Sequence, residues 1–93
     1  MILIKETFKN NDTVNLHIEG RLDRESLPTL RQVCDRYLKE GLKIELNLSS
    51  LNHIGQDGLR YLQVIRHRVQ LIEMNEYFRM AILDEDPEDQ ISS

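Results

Sequence analysis

The chain has 93 residues, 40% of them hydrophobic, and sixteen acidic against twelve basic side chains give it a formal charge of −4. One domain fits that length, since a second core would need about fifty residues of its own. Packing consumes most of the apolar residues of so short a chain and leaves few to line a deep substrate cavity. Five of the acids, Asp84, Glu85, Asp86, Glu88 and Asp89, stand in the last ten positions, and the body without them carries +1. So weak a field excludes ordinary nucleic-acid binding, and stacking aromatics are scarce, with no Trp, three Tyr and two Phe.

Cys34 is the only cysteine, so an internal disulfide is impossible; its place in an apolar helical stripe marks a buried small hydrophobe rather than a reactive thiol. No basic segment followed by an apolar stretch opens the chain, and no run approaches the roughly eighteen apolar residues of a membrane span. A cytoplasmic address is expected.

Met1 to Lys9 alternates, with Ile2, Ile4 and Phe8 on one side, and reads as a strand. Asn10, Asn11 and Asp12 supply turn chemistry, and Val14, Leu16 and Ile18 then alternate against Asn15, His17 and Glu19, which predicts a hairpin. Gly20 is expected to end the second strand. Leu27, Leu30, Val33, Cys34, Tyr37 and Leu38 follow helical spacing, with Asp23 or Ser26 as N-cap. Ser26 is favoured because it puts Pro28 in the first turn, where a missing N–H costs nothing; Gly41 stands where a left-handed helix terminus wants glycine.

Lys43 to Leu48 alternates again, and its polar face implies helices packed on one side of the sheet only. Ser49 to Gln56 reads as a link in which Leu51 and Ile54 could form a minimal strand. Leu59, Leu62, Ile65, Val69 and Ile72 predict a second helix whose exposed side carries Arg60, Arg66, His67 and Arg68. Such a face is ordinarily solvated surface; an acidic partner, or the chain's own acidic tail, is the alternative. Phe78, Met80 and Ile82 alternate and predict a last strand. The acidic tail, Asp84 to Ser93, is expected to be disordered.

This order, a mixed sheet of four to five strands with two helices on one face, resembles the STAS fold of the anti-sigma factor antagonist family over residues 1–83. Three stretches carry the resemblance. Glu19-Gly20-Arg21-Leu22-Asp23 is similar to the family's Gly-x-Leu-Asp link, and Ile44 to Leu51 to the apolar strand entering its signature loop. His53-Ile54-Gly55-Gln56-Asp57-Gly58-Leu59 aligns with Ile-Asp-Ser-Ser-Gly-Leu, matching at Ile54, Gly58 and Leu59. The family's phosphorylated serine falls on Asp57, which offers no hydroxyl to a serine kinase. The family's final helix is expected to be missing, which would leave an apolar strip and a possible homodimer.

The resemblance implies a non-catalytic binding module that acts by occupancy, with Ser50, His53, Gln56, Asp57, Gly58, Arg60 and Tyr61 as its contact surface. The implied partner is a kinase-type anti-sigma factor or a related signalling protein. The alternative is an accessory subunit of a lipid-transport ATPase complex. Asp57 has a plain role as a carboxylate at a helix start; it can also imitate a permanently phosphorylated module, and the two are compatible. Ser49 and Ser50 are the nearest other phosphoacceptors. His17, His53 and His67 lack metal-ligand spacing, no Gly-x-Ser-x-Gly elbow or Gly-rich phosphate loop occurs, and neither a cofactor nor catalysis is expected.

Overall fold

Alternation at period two builds strands where one face can be buried, and the computed structural model, which describes residues 1–83, places four of them in one sheet. Strands β1 (Ile2–Phe8) and β2 (Thr13–Leu22) form the antiparallel hairpin. Its turn is closed by Asn10 Oδ1 accepting the Asp12 N–H at 2.9 Å. Helix α1 (Leu27–Lys39) carries the chain to β3 (Lys43–Ile54), parallel to β2, and α2 (Gln56–Ile65) carries it to β4 (Gln70–Glu73), parallel to β3. The spatial order is β1-β2-β3-β4. Because both crossovers step in the same direction across the sheet, the shared right-handed rule puts both helices on the same face.

The core lies between that face and the helices. Val14, Leu16 and Ile18 of β2 and Ile44, Leu46 and Leu48 of β3 meet Leu30 and Cys34 of α1 and Leu62 of α2, all fully or almost fully buried. Asn15, His17, Glu45 and Asn47, at the alternate positions, keep contact with water. The expected one-sided packing is therefore observed. Gly41 takes φ +79° at the end of α1, where the Leu42 N–H reaches back to the Tyr37 carbonyl at 3.1 Å.

Four expectations are corrected. First, β2 passes through Gly20 to Leu22: Gly20 takes φ +101°, and an ideal Cβ there would lie 2.7 Å from the Met1 carbonyl oxygen, so the glycine turns the strand instead of ending it. Secondly, Leu51 and Ile54 belong to β3 itself, which continues beyond the expected end by means of register shifts against β2; among the described residues the sheet has four strands, with no separate fifth. Thirdly, the second helix stops at Ile65. Val69 and Ile72 share its helical phase by coincidence, but the pairing of Leu46 with Leu71 claims this segment for the sheet edge.

Fourthly, the expected last strand is a helix, α3 (Glu76–Leu83), so the described residues form three helices and a final helix is present. Asn75 Oδ1 accepts the Phe78 N–H at 2.8 Å, a side-chain cap that commits the segment to helix. Phe78 and Ile82, four residues apart, are then buried, while Met80, which a strand would have placed on the same side, is 66% exposed. The bare strip inferred from a missing helix is thus removed as the ground for a homodimer; the large apolar residues that α3 does expose are Tyr77, Met80 and Leu83. The expected acidic tail, 84–93, lies outside the described residues.

Two outcomes follow from this packing. Gly58, in the first turn of α2, presses on β2, where an added Cβ would meet the Leu22 carbonyl oxygen at 2.7 Å and Leu22 Cγ at 2.8 Å, whereas Gly55 has only ordinary contacts near 3.5 Å. In urea titrations Gly58→Ala is expected to lose about 1–3 kcal/mol as overpacking does, and Gly55→Ala to stay within about 1 kcal/mol; equal midpoints for the two variants would refute the close approach. Cys34 is fully buried, and burial pushes its thiol up to about 11. At pH 8 it is therefore protonated and inaccessible, and labelling by a disulfide reagent should proceed only as the chain opens, accelerating in denaturant.

Candidate functional site

The predicted contact surface begins where β2 and β3 end side by side. Gly20 bends β2, Leu22 drops into the core, and Asp23 starts the turn into α1. Asp23 and Ser26 cap reciprocally: Asp23 Oδ1 accepts the Ser26 N–H at 3.0 Å and Ser26 Oγ accepts the Asp23 N–H at 2.9 Å. Both candidates for the N-cap thus act together, and Ser26, although next to the helix, caps the turn before it. These bonds, the Ser26 hydroxyl first, hold the Asp23 carboxyl below its ordinary range. Its folded-state value being lowered, its contribution is present above the ordinary Asp range and is lost as pH falls through the lowered value.

Opposite this turn, β3 passes into α2 through Gly55 alone. The Gly55 N–H donates to the Leu22 carbonyl at 2.8 Å, and the Leu59 N–H returns to the Gly55 carbonyl at 2.8 Å, so the loop expected before the helix is a single residue. Asp57 consequently occupies the first turn of α2, beside unpaired backbone N–H groups that favour a negative charge. Arg24 Nε reaches its Oδ2 at 3.2 Å, but the arginine side chain is 88% exposed, so solvent screens the pair. Its contribution to stability is at most about 1 kcal/mol, and its structural effect is to tie the start of α2 to the turn before α1.

A cleft of about 520 Å³ lies between the two helices. Arg24, Leu27, Pro28 and Arg31 form one wall; Asp57, Arg60, Tyr61 and Val64 form the other. The Arg31 guanidinium lies over the Tyr61 ring, 5.4 Å from its centroid. Burial drives the Tyr61 phenol well above its ordinary range. Val64 is 64% exposed, an apolar side chain left open between cationic neighbours.

The predicted site residues divide between two surfaces. Asp57, Arg60 and Tyr61 line the cleft, and buried Gly58 sets how closely α2 approaches Leu22. Gln56, the first residue of α2, and His53, opposite Arg21 at the end of β3, are exposed. Ser50 is elsewhere: its Oγ is 2.8 Å from His17 Nε2 on the open face of the sheet, away from the helices. Ser49 donates to Asn47 Oδ1 at 2.6 Å. His17, on the polar side of β2, is half-buried, with Glu19 Oε2 also 4.0 Å from its Nε2. Serine and carboxylate thus approach the same ring nitrogen, whereas a hydrolytic triad needs them on opposite nitrogens.

The basic side expected of the second helix is reduced to Arg60, because Arg66, His67 and Arg68 lie in the turn after it. Sequence reasoning missed Arg24 and Arg31; the signal was their spacing with Pro28, one stripe running from the α1 turn into the helix. Among the described residues no group of three or more His, Cys, Asp or Glu could hold a metal, and no helix is long and apolar enough to cross a membrane.

The search of curated proteins gave no match. Among solved structures, the chain is similar to the crystal structure of an uncharacterised protein of the DUF3478 family with a SpoIIAA-like fold from Shewanella loihica PV-4. The TM-score is 0.59 over 98% of this chain and 91% of that one. At 14% identity that likeness speaks for the fold. The STAS domain family matches residues 5–79, from the first strand to the middle of α3. With the Gly20–Asp23 bend and the four-stranded mixed sheet in place, the chain belongs to the STAS domain family.

Proposed function

We propose that this STAS domain is a non-catalytic regulatory module of the cytoplasm that binds a kinase-type anti-sigma factor, or a related signalling protein, through the start of α2 and the adjoining cleft. The observation that carries this reading is the placement of Asp57. It stands at the position aligned with the family's phosphorylated serine, in the first turn of α2, partly exposed and held toward Arg24 at the mouth of the α1–α2 cleft. A serine kinase finds no hydroxyl there, so binding would be governed by the amount of the module present and not by phosphorylation of this site. Arg60, Tyr61 and Val64 extend the surface along one helix, with an aromatic and an aliphatic side chain available for a partner to bury.

The role of accessory subunit in a lipid-transport ATPase complex uses the same surface and differs in the partner. His53 remains in the proposal on the β3 side of the junction, whereas Ser50, on the open face of the sheet, stands apart from this surface. The exposed α3 residues Tyr77, Met80 and Leu83 offer one apolar surface for a homodimer.

The test is calorimetric titration of the chain, and of its Asp57→Ser variant, with the kinase-type anti-sigma factor of the same genome, before and after incubation with ATP. The unmodified chain should bind and stay bound after ATP. The serine variant should fold with a stability change below about 1 kcal/mol, accept phosphate at position 57, and lose affinity by about tenfold or more once modified, the equivalent of about 1.4 kcal/mol. Phosphate on Ser49 or Ser50 of the unmodified chain, with release, would defeat the fixed-state reading. Absence of binding together with co-purification of a permease and its ATPase would move the module to the transport reading.

A further inference from the structure

The two walls of the α1–α2 cleft repeat one spacing. On one side Arg24, in the turn before α1, leads Leu27, Pro28 and Arg31; on the other Asp57 leads Arg60, Tyr61 and Val64 along α2. Each set covers positions i, i+3, i+4 and i+7, two turns or about 10 Å of helix. α1 and α2 each join the end of one strand to the start of its parallel neighbour, so the two helices run in the same direction along the cleft. A groove between two such helices has the shape that receives a third.

Charge and apolar surface narrow what that third element is. Three guanidinium groups line the cleft against one carboxylate. Arg24 holds that carboxylate, Arg31 lies over the face of Tyr61, and neither Arg31 nor Arg60 has an ion pair among the described residues. Asp35, the one acid of α1, stands outside the lining. Val64, 64% exposed, and exposed Pro28 leave an aliphatic strip between the arginines, which a chain of phosphates would leave wet. The net charge of −4 gives no long-range pull on a nucleic acid or an anionic membrane. Arg24 and Arg31 are two turns apart, about 10 Å, a spacing that carboxylates repeated along a helix can match.

We propose that the α1–α2 cleft receives an acidic amphipathic helix of the partner protein, with carboxylates on Arg31 and Arg60 and an aliphatic side chain against Val64 and Pro28. This names the partner's chemistry at the surface assigned above, and so rests on that assignment. Asp57 then opposes the partner at one end of the cleft. Arg24 cancels its charge only in part, because both side chains meet solvent. The carboxylate selects against helices whose own acids fall at that end.

The probe is a synthetic end-capped peptide of about fifteen residues, with Leu at i, i+4 and i+7, Glu at the flanking positions and Ala elsewhere. Its control carries Lys for Glu, a reversal that needs no change in the protein. In amide and arginine side-chain NMR of the full chain, the acidic peptide should move the signals of Arg31, Arg60, Tyr61 and Val64, and the basic peptide should not. Raising salt from about 0.1 M to about 1 M, where the Debye length falls from about 10 Å to about 3 Å, should weaken binding about fivefold or more. R31E and R60E, at exposed positions, should each weaken it about fivefold or more, V64S about threefold, and D57N should tighten it about twofold. Absence of binding, equal response to the two peptides, shifts confined to other faces, or an affinity unmoved by both arginine reversals would overturn the proposal. So would inorganic phosphate, an oligonucleotide or phosphatidylglycerol vesicles that move the same signals more strongly than the acidic peptide at equal concentration. No anti-sigma factor enters this measurement. If the factor binds in the calorimetric test with an affinity unmoved by R31E and R60E, the functional reading stands and the acidic helix falls; if the peptide binds and the factor does not, the reverse holds.

Discussion

The carbonyl oxygen of Leu22 holds together the end of the molecule where β2, β3 and α2 meet. It accepts the Gly55 N–H at 2.8 Å, joining the end of β2 to the residue that separates β3 from α2. The same oxygen would lie 2.7 Å from any Cβ at position 58, so α2 can approach only because that position is glycine. A buried backbone acceptor left without a donor would be costly, so the bond and the close approach support one another. With strand, junction and helix fixed at one point, Asp57 and Arg60 project into the cleft on a scaffold with little freedom to shift.

The two faces of the domain differ in chemistry because only one carries helices. On the open face cross-strand pairs satisfy the polar groups: Lys5 with Glu19 and Lys9 with Glu45, each at 3.1 Å, and Ser50 with His17. The Lys9 ammonium is the chief reason that the Glu45 carboxyl stays below its ordinary range. Charges there are matched within the sheet. On the helical side the balance is broken at the cleft, where guanidinium groups exceed carboxylates and an aliphatic side chain remains uncovered. The proposed binding role of this region rests on what it leaves unmatched.

The distal edge of the domain is completed differently. Glu6 stands on the inner side of β1 between Ile4 and Phe8, and it is tolerated there because Arg36 reaches it at 3.3 Å and the Tyr37 hydroxyl donates to it. That bond to Glu6 is the main cause raising the Tyr37 phenol. Phe8 packs edge-on to Tyr37 with centroids 5.8 Å apart. α1 is therefore anchored to β1 by polar and aromatic contacts at one end and to the β2 turn by the Asp23–Ser26 pair at the other.

Sequence alone determined the hairpin, α1 with its glycine terminus, the inner alternation of β3, the burial of Cys34 and the one-sided packing, because each rests on a local period or on one residue's backbone preference. The family motifs were legible as short patterns, Gly20-Arg21-Leu22-Asp23 and Ile54 with Gly58-Leu59, but the close approaches that Gly20 and Gly58 permit, to Met1 and to Leu22, join distant parts of the chain. Tertiary structure decided the rest. Whether Val69 to Ile72 continues a helix or adds an edge strand is ambiguous in periodicity, and pairing with β3 resolved it. Phe78 and Ile82 fit either period; the Asn75 cap and packing on the core chose helix. Ser50 and Asp57 are only seven residues apart, yet they serve opposite faces because a strand and a helix lie between them. Arg24 and Arg31 became part of the site only when α1 and α2 were set side by side, a neighbour relation that no local pattern encodes.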